Sequence, residues 1–245
     1  GSGPAHLLSA DSFQSAGAPF KGWGNLAATT FTGGQEPGGG SYGGVGGRPE
    51  AVGGQAQFDT LGAFGKVYGD ADLTNLFGGS GGGGGNDRQG GSGAGAIKIV
   101  STGNLTIGGD IWACGGKGGA QSNEARRSGG SGSGGSIYLK AANLVINSGV
   151  QIRANGGAGA TGIDSGNSYS KDGGGAGPAA GGGGRVFVEA TTSLVNNASS
   201  TNANISATGG QSQAASGTPR HGTDGSVKIL RPQVSELVFT SGSLT

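Results

Sequence analysis

Along residues 129–157 the chain reads GGSGSGGSIYLKAANLVINSGVQIRANGG, and three short apolar pulses alternate there with polar residues. Ile137 and Leu139 fall on one side of an extended chain, with Tyr138 and Lys140 on the other. Leu144 and Ile146 repeat the pattern, as do Val150 and Ile152 against Gln151 and Arg153. Successive side chains of a strand point to opposite faces, so each pulse predicts a strand with one face to bury. The breaks, Ala142-Asn143 and Asn147-Ser148-Gly149, are too short for helices and suit tight bends. Strand, bend, strand, bend, strand describes one coil of a β-solenoid, and it equally describes a short antiparallel meander.

Repetition favours the first. Residues 95–116 give Ile97/Ile99, Leu105/Ile107 and Ile111/Ala113. Residues 184–210 give Val186/Val188, Leu194 and Ile205/Ala207, and a half unit over 225–230 places Val227 and Ile229 in the first-pulse position. The first pulses start at 97, 137, 186 and 227, a spacing of about 40 to 50 residues that marks stacked or bladed architectures. One unit has too little apolar surface to stand alone, so neighbouring units must share a core. The predicted class is all-β, a repeat-built, parallel β-helix-like solenoid with long glycine-rich loops. An antiparallel β-sandwich with inserted glycine helices is the alternative.

Between the pulses glycine runs recur at 78–95, 115–135, 156–184 and 209–225. Glycine-rich segments ordinarily read as flexible linkers. Their recurrence at one place in each unit, often as glycine pairs, suits a polyglycine-type bundle in which bare backbones pair laterally. Ordering a residue costs about 1–2 kcal/mol of backbone entropy and a net hydrogen bond returns about 0.5–1.5 kcal/mol. Only several runs side by side could order together, and sequence leaves bundle and mobile loops both open.

Runs of the type G-G-S-I-x-L-x-A-x-x-L-x-I-x-x-G-x-I-x-A-N-G-G followed by G-G-G-G-R-V resemble the glycine-rich repeats of large secreted bacterial surface proteins. Residues 38–85, with GGGSYGGVGGRPE and YGDADLTNLFGGSGGGGG, are similar to the leader of those repeats. The strand units also resemble the β-helices of filamentous haemagglutinin-type adhesins. The resemblance, over roughly 38–230, implies a structural or adhesive role and brings no catalytic motif.

The expected organisation is a cap and aromatic, glycine-rich leader over 1–77, a repeat region over 78–230, and a terminal strand or linker over 231–245. Phe58, Leu61, Phe64, Val67, Tyr68, Leu73, Leu76 and Phe77 are expected to form an aromatic plug over the solenoid end. Val234, Leu237, Val238 and Phe239 belong to an apolar run, VSELVFT, that reads as an edge strand packed on the last coil or, for assembly, as a linker strand pairing with the next domain of the same polypeptide or the next subunit.

Composition narrows function. Gly supplies 62 of 245 residues, against a usual share of about 7%, and the 7 Pro rule out a collagen repeat. A net charge of +1 gives no electrostatic footprint for nucleic acid, and no 18-residue apolar run suits a membrane-spanning helix. The single Cys114 cannot form an intrachain disulfide and is expected to be a small buried hydrophobe. The chain has no Met, even at position 1, and is expected to be a processed or excised piece with Gly1-Ser2-Gly3 as a scar. Its two histidines, His6 and His221, lack triad partners in sequence and are expected to be exposed, and the ligand spacing for zinc is missing. Asp70 and Asp72 could hold a structural Ca²⁺, although turn-capping carboxylates are the simpler reading. Asn104, Asn197 and Asn204 head N-x-[ST] triplets that decide nothing without the source.

The outward first-pulse positions, Lys98, Tyr138, Phe187 and Lys228, hold no carboxylate, which argues against a polysaccharide lyase. Trp112, Tyr138 and Phe187 could form an aromatic strip for stacking sugars. The expected function is therefore that of a non-enzymatic, extracellular or cell-surface structural protein, self-associating into a layer, filament or matrix. A carbohydrate-binding module is the runner-up, and no cofactor, nucleic acid or membrane insertion is expected.

Overall fold

The computed structural model describes residues 7–9, 12–13, 38–47, 67–83, 90–119, 129–159, 179–212 and 221–232. These residues are strand-rich and contain no helix. The strands are β1 (Leu7–Ser9), β2 (Ser12–Phe13), β3 (Ala96–Val100), β4 (Asn104–Ile107), β5 (Ile111–Trp112), β6 (Ser136–Ile146), β7 (Ile152–Arg153), β8 (Arg185–Asn196), β9 (Ile205–Ser206) and β10 (Ser226–Leu230). Strands β1 and β2 form a separate antiparallel pair. Every pairing among β3–β10 is parallel, so the antiparallel ladders of a sandwich are not what joins these strands.

One sheet has the order β10-β8-β6-β3, with β4 also on β6, and a second has the order β5-β7-β9. The repeat pattern sets the register. Ile97, Ile137, Val186 and Val227 lie side by side, as do Ile99, Leu139, Val188 and Ile229. Leu105, Leu144 and Leu194 continue the rows, and Ile111, Ile152 and Ile205 form the corresponding row of the second sheet. A one-residue slip would turn each row outward, which is why alternation fixes register. Between Ala141 and Asn143 the ladder shifts, because β8 places Thr191 and Thr192 opposite Ala142. These inward residues from both sheets form one core, in which Ile137, Leu139, Leu144, Ile146, Ile152 and Val188 are fully buried.

Asn147–Gly149 makes the bend the sequence predicts: the Val150 N–H donates to the Asn147 carbonyl, and Gly149 takes φ +79°, the left-handed value glycine adopts without penalty.

The glycine runs are ordered where they are described. Gly129, Gly132 and Gly135 donate backbone hydrogen bonds to Gly119, Gly116 and Ala113. Gly130 and Ser133 donate to Gly83 and Ser80, and Ser131 and Gly134 donate to Ala179 and Gly182. Donor direction thus repeats every third residue, the period of a polyproline II-type helix, which makes no internal bonds. Carbonyls of the same rod accept from Gly40, Gly91, Ala94 and Gly157. Six neighbouring segments surround residues 129–135: three receive its N–H groups and three supply donors to its carbonyls. Such pairing is what the entropy argument required, and the alternative of unpaired loops does not hold for these residues. At the two most crowded contacts a side chain has no space. A Cβ on Gly181 would stand 1.8 Å from the Gly132 carbonyl oxygen, and one on Gly225 1.8 Å from that of Gly184.

Candidate functional site

Three outward rows cross the large sheet where the first pulses pair: Ala96, Ser136, Arg185 and Ser226; Lys98, Tyr138, Phe187 and Lys228; Val100, Lys140, Glu189 and Leu230. The middle row is the one read from sequence. Tyr138 and Phe187 stack with centroids 5.2 Å apart and planes 4° from parallel. Lys98 lies over the Tyr138 ring at 5.0 Å and Lys228 over the Phe187 ring at 5.5 Å. An ammonium group against an aromatic face is attractive. The ring faces that would stack a sugar are therefore occupied by each other and by the flanking lysines. Trp112, the third expected sugar-stacking residue, stands on β5 of the other sheet, 66% exposed, beside Arg153. The structure brings Tyr138 and Phe187 together and leaves Trp112 apart.

Beside this row, Lys140 Nζ pairs with Glu189 at 2.9 Å. That hydrogen bond raises the lysine's pKa, while partial burial and then the Glu189 carboxylate raise that of Tyr138. The carboxylate is thus already paired with a cation. Asp70 and Asp72 do not converge on one point. Asp70 accepts from the Asn75 backbone and side-chain nitrogens, as a turn-capping carboxylate does, and Asp72 pairs with Lys228 Nζ at 2.5 Å. Among the described residues no group of acidic, His or Cys side chains is arranged to hold a metal.

Segment 67–77, part of the expected plug, meets outward positions of three strands: the Phe77 carbonyl accepts from Ser136 of β6, the Tyr68 carbonyl from Arg185 of β8, and Asp72 pairs with Lys228 of β10. Tyr68 packs at 4.9 Å from Tyr42 and 6.3 Å from Phe77. The Ser136 hydroxyl donates to the Phe77 carbonyl at 2.7 Å, so the 2.6 Å contact with Tyr42 is a bond donated by the phenol. Arg185, 7% exposed, places its guanidinium 5.4 Å from the Tyr42 ring and donates to the Tyr68 carbonyl at 3.1 Å. Its Nε is buried without a hydrogen-bond partner. Burial pushes Tyr68 up to about 12 and Tyr42 in the same direction. Sequence reasoning missed this clasp, although the outward position of Arg185 in GGGGRV was a usable signal. Residues 58–66 of the expected plug lie outside the described residues.

Cys114 is exposed, against expectation. With Ile111 and Ala113 turned inward, alternation places Trp112 and Cys114 on the outward side. The thiol sits 3.5 Å from the Arg153 carbonyl. His221 is exposed as expected, and its Nδ1 accepts from the Ser212 backbone at 2.8 Å. His6 and the expected assembly residues Val234, Leu237, Val238 and Phe239 lie outside the described residues.

Among the described strands the large sheet ends in two edges, β3 and β10. Core-row residues emerge there: Ile97 is 39% exposed and Val227 42%. Next to them on the outward face stand Val100 and Leu230, at 53% and 40%. The chain matches no family model, no curated protein and no solved structure. No helix of the described residues is long and apolar enough to cross a membrane.

Proposed function

We propose that the protein is a non-enzymatic structural building block of a secreted or cell-surface layer, filament or matrix, whose repeats wind as a parallel β-solenoid with polyglycine rods along one flank. The observation that carries this reading is the pair of sheet edges, β3 and β10, that no other described strand covers. Each unit adds its first strand to the previous one in register, and the first and last of these strands expose residues of the inward rows. A free strand edge beside exposed apolar residues is a template for association. The resemblance to glycine-rich repeats of bacterial surface proteins agrees with this reading and supplies its adhesive, extracellular setting. The outward first-pulse row agrees too, since its lysines and aromatic rings occupy one another and the neighbouring carboxylate of Glu189 is bonded to Lys140.

Negative-stain electron microscopy over a concentration series tests the reading. Regular filaments or sheets are the expected result, and uniform monomers at every concentration would overturn it. A second reading, as a carbohydrate-binding module, is favoured by Trp112 alone, whose exposed indole stands beside Arg153 and so offers a stacking face with a nearby hydrogen-bond donor. A glycan array on the native protein and Trp112→Ala decides it: binding lost with the indole would support the module.

A further inference from the structure

We infer that the occupant of the open β10 edge is the β3 edge of a second copy, docked parallel and in the register of the existing stack, with Asp72 shared between Lys228 and the incoming copy's Lys98. This rests on the assembly reading above and specifies its contact. Placed in that register, Val227 meets Ile97 and Ile229 meets Ile99, continuing the two inward rows that already run through β6 and β8. On the outward face Ser226 meets Ala96, and Leu230 meets Val100. Both members of the Val227/Ile97 and Leu230/Val100 pairs are substantially exposed in the single chain.

The remaining position sets Lys228 beside Lys98. Like charges directly opposite across two strands repel, and edge lysines commonly discourage pairing. Asp72 reverses the sign. Its carboxylate is bonded to Lys228, yet the side chain stays 61% exposed. It can receive a second ammonium group, giving an order of positive, negative, positive. Because the two edges differ, the contact is heterologous, and since each copy continues the same strand stack in one direction, repetition yields a linear polymer.

The test is sedimentation velocity with negative-stain imaging on the full chain, Asp72→Asn, Lys98→Glu and the double variant. Asp72→Asn is expected to weaken association by about three- to tenfold, because it leaves the lysines opposed. Adding Lys98→Glu should restore it, since the new carboxylate faces Lys228 directly, and Lys98→Glu alone should match or exceed the native protein. Thermal unfolding should be nearly unchanged in all three, as exposed pairs contribute little to stability. If the native chain polymerises but ignores both substitutions, this contact is wrong and the assembly reading stands. If native chain and Lys98→Glu both remain monomeric at every concentration, contact and reading fall together. If a monomeric native chain polymerises only after residues 233–245 are removed, its own tail occupies the edge and the second copy is excluded from it.

Discussion

The strand stack and the glycine bundle belong to the same repeat and are held together by opposite means. In the stack, cohesion comes from side chains: Leu139 contributes a fully buried leucine between Ile99 and Val188. In the bundle it comes chiefly from the main chain, and most side chains contribute by being missing; the Ser131 and Ser133 hydroxyls add bonds to the Ala158 carbonyl and from the Ser80 amide. A rod such as 129–135 has six neighbours only because its glycines let carbonyl oxygens approach where a Cβ would stand. The same composition that reads as disorder in a linker therefore builds a close-packed layer once enough rods lie side by side. Each region also needs the other. The rods enter and leave the strands, so the sheets set rod spacing, and the rods bond neighbouring repeats to one another.

The sharpest way to break this comparison is to add a side chain to a rod. Gly181→Val should be the most damaging single change, because its Cβ would collide with the Gly132 carbonyl and neither backbone can retreat without breaking its other bonds. A loss of about 4 kcal/mol or failure to fold is expected, at the upper end for overpacking. Gly95→Ala is the control. A Cβ there meets nothing within 4 Å, and stability should change by less than about 0.5 kcal/mol. Urea denaturation of both variants decides the matter. Equal effects would mean that glycine is needed for chain flexibility and not for close approach.

Next in size is Leu139→Ala, which empties a side-chain-held position and should cost about 3 kcal/mol by the same measurement. If it proves harmless, the bundle alone carries the fold and the proposed division of labour fails.

How far the sequence foretold each region follows from the same contrast. Alternation in Ile97/Ile99, Ile137/Leu139 and Val186/Val188 announces strands, inward faces and even register, because a period of two has a single apolar solution. The three-residue donor period of the rods leaves no trace in side chains that are absent. Gly130, Ser131 and Gly132 point their N–H groups at different neighbours, yet nothing in their identities says which. The outward row of Lys98, Tyr138, Phe187 and Lys228 was legible by phase alone. That its ring faces would be mutually occupied was not, since stacking depends on neighbouring units 40 to 49 residues away adopting one register. Cys114 shows a different failure, in which the usual burial of cysteine was allowed to outweigh the phase set by Ile111 and Ala113. The clasp of Tyr42, Tyr68, Phe77 and Arg185 is a long-range meeting of leader and sheet, and beyond the outward phase of Arg185 no local pattern announces it.

The clasp sharpens the comparison because it is a third kind of cohesion, a buried cation among aromatic rings and carbonyls. Arg185→Met keeps much of the volume, removes the unpartnered Nε, and loses the donations to Tyr68 and Ser226. A global loss of about 1–2 kcal/mol is expected. Hydrogen exchange at the Leu73 amide, which bonds the Asp70 carbonyl, should accelerate more than exchange in the rods. Equal acceleration everywhere would show that the leader is integral to the stack and not clasped onto it.

The mildest perturbation is alkaline pH, and it acts on the clasp before it acts on the rods, whose glycines carry no side chain to titrate. Burial raises Tyr68 from 10.0 to about 12, so the folded chain keeps a phenolic proton that the unfolded chain has released. Folded protein then binds more protons than unfolded protein between those values, and stability must fall as pH rises through this window. Below the unfolded pKa the contribution is fully present. Above about 12 both states are ionised and the slope vanishes. Each tenfold difference in proton affinity between the two states is worth about 1.4 kcal/mol, and the ring's partial contact with solvent reduces it. The expected loss is therefore about 1–2 kcal/mol between roughly pH 9.5 and 11.5. Tyr68→Phe should flatten the slope, leaving the smaller contribution of Tyr42, whose pKa burial also raises. An unchanged slope in Tyr68→Phe would assign the alkaline loss to groups outside the clasp, such as Lys140 in its bond to Glu189, and the clasp would then be no tighter than the exposed surface around it.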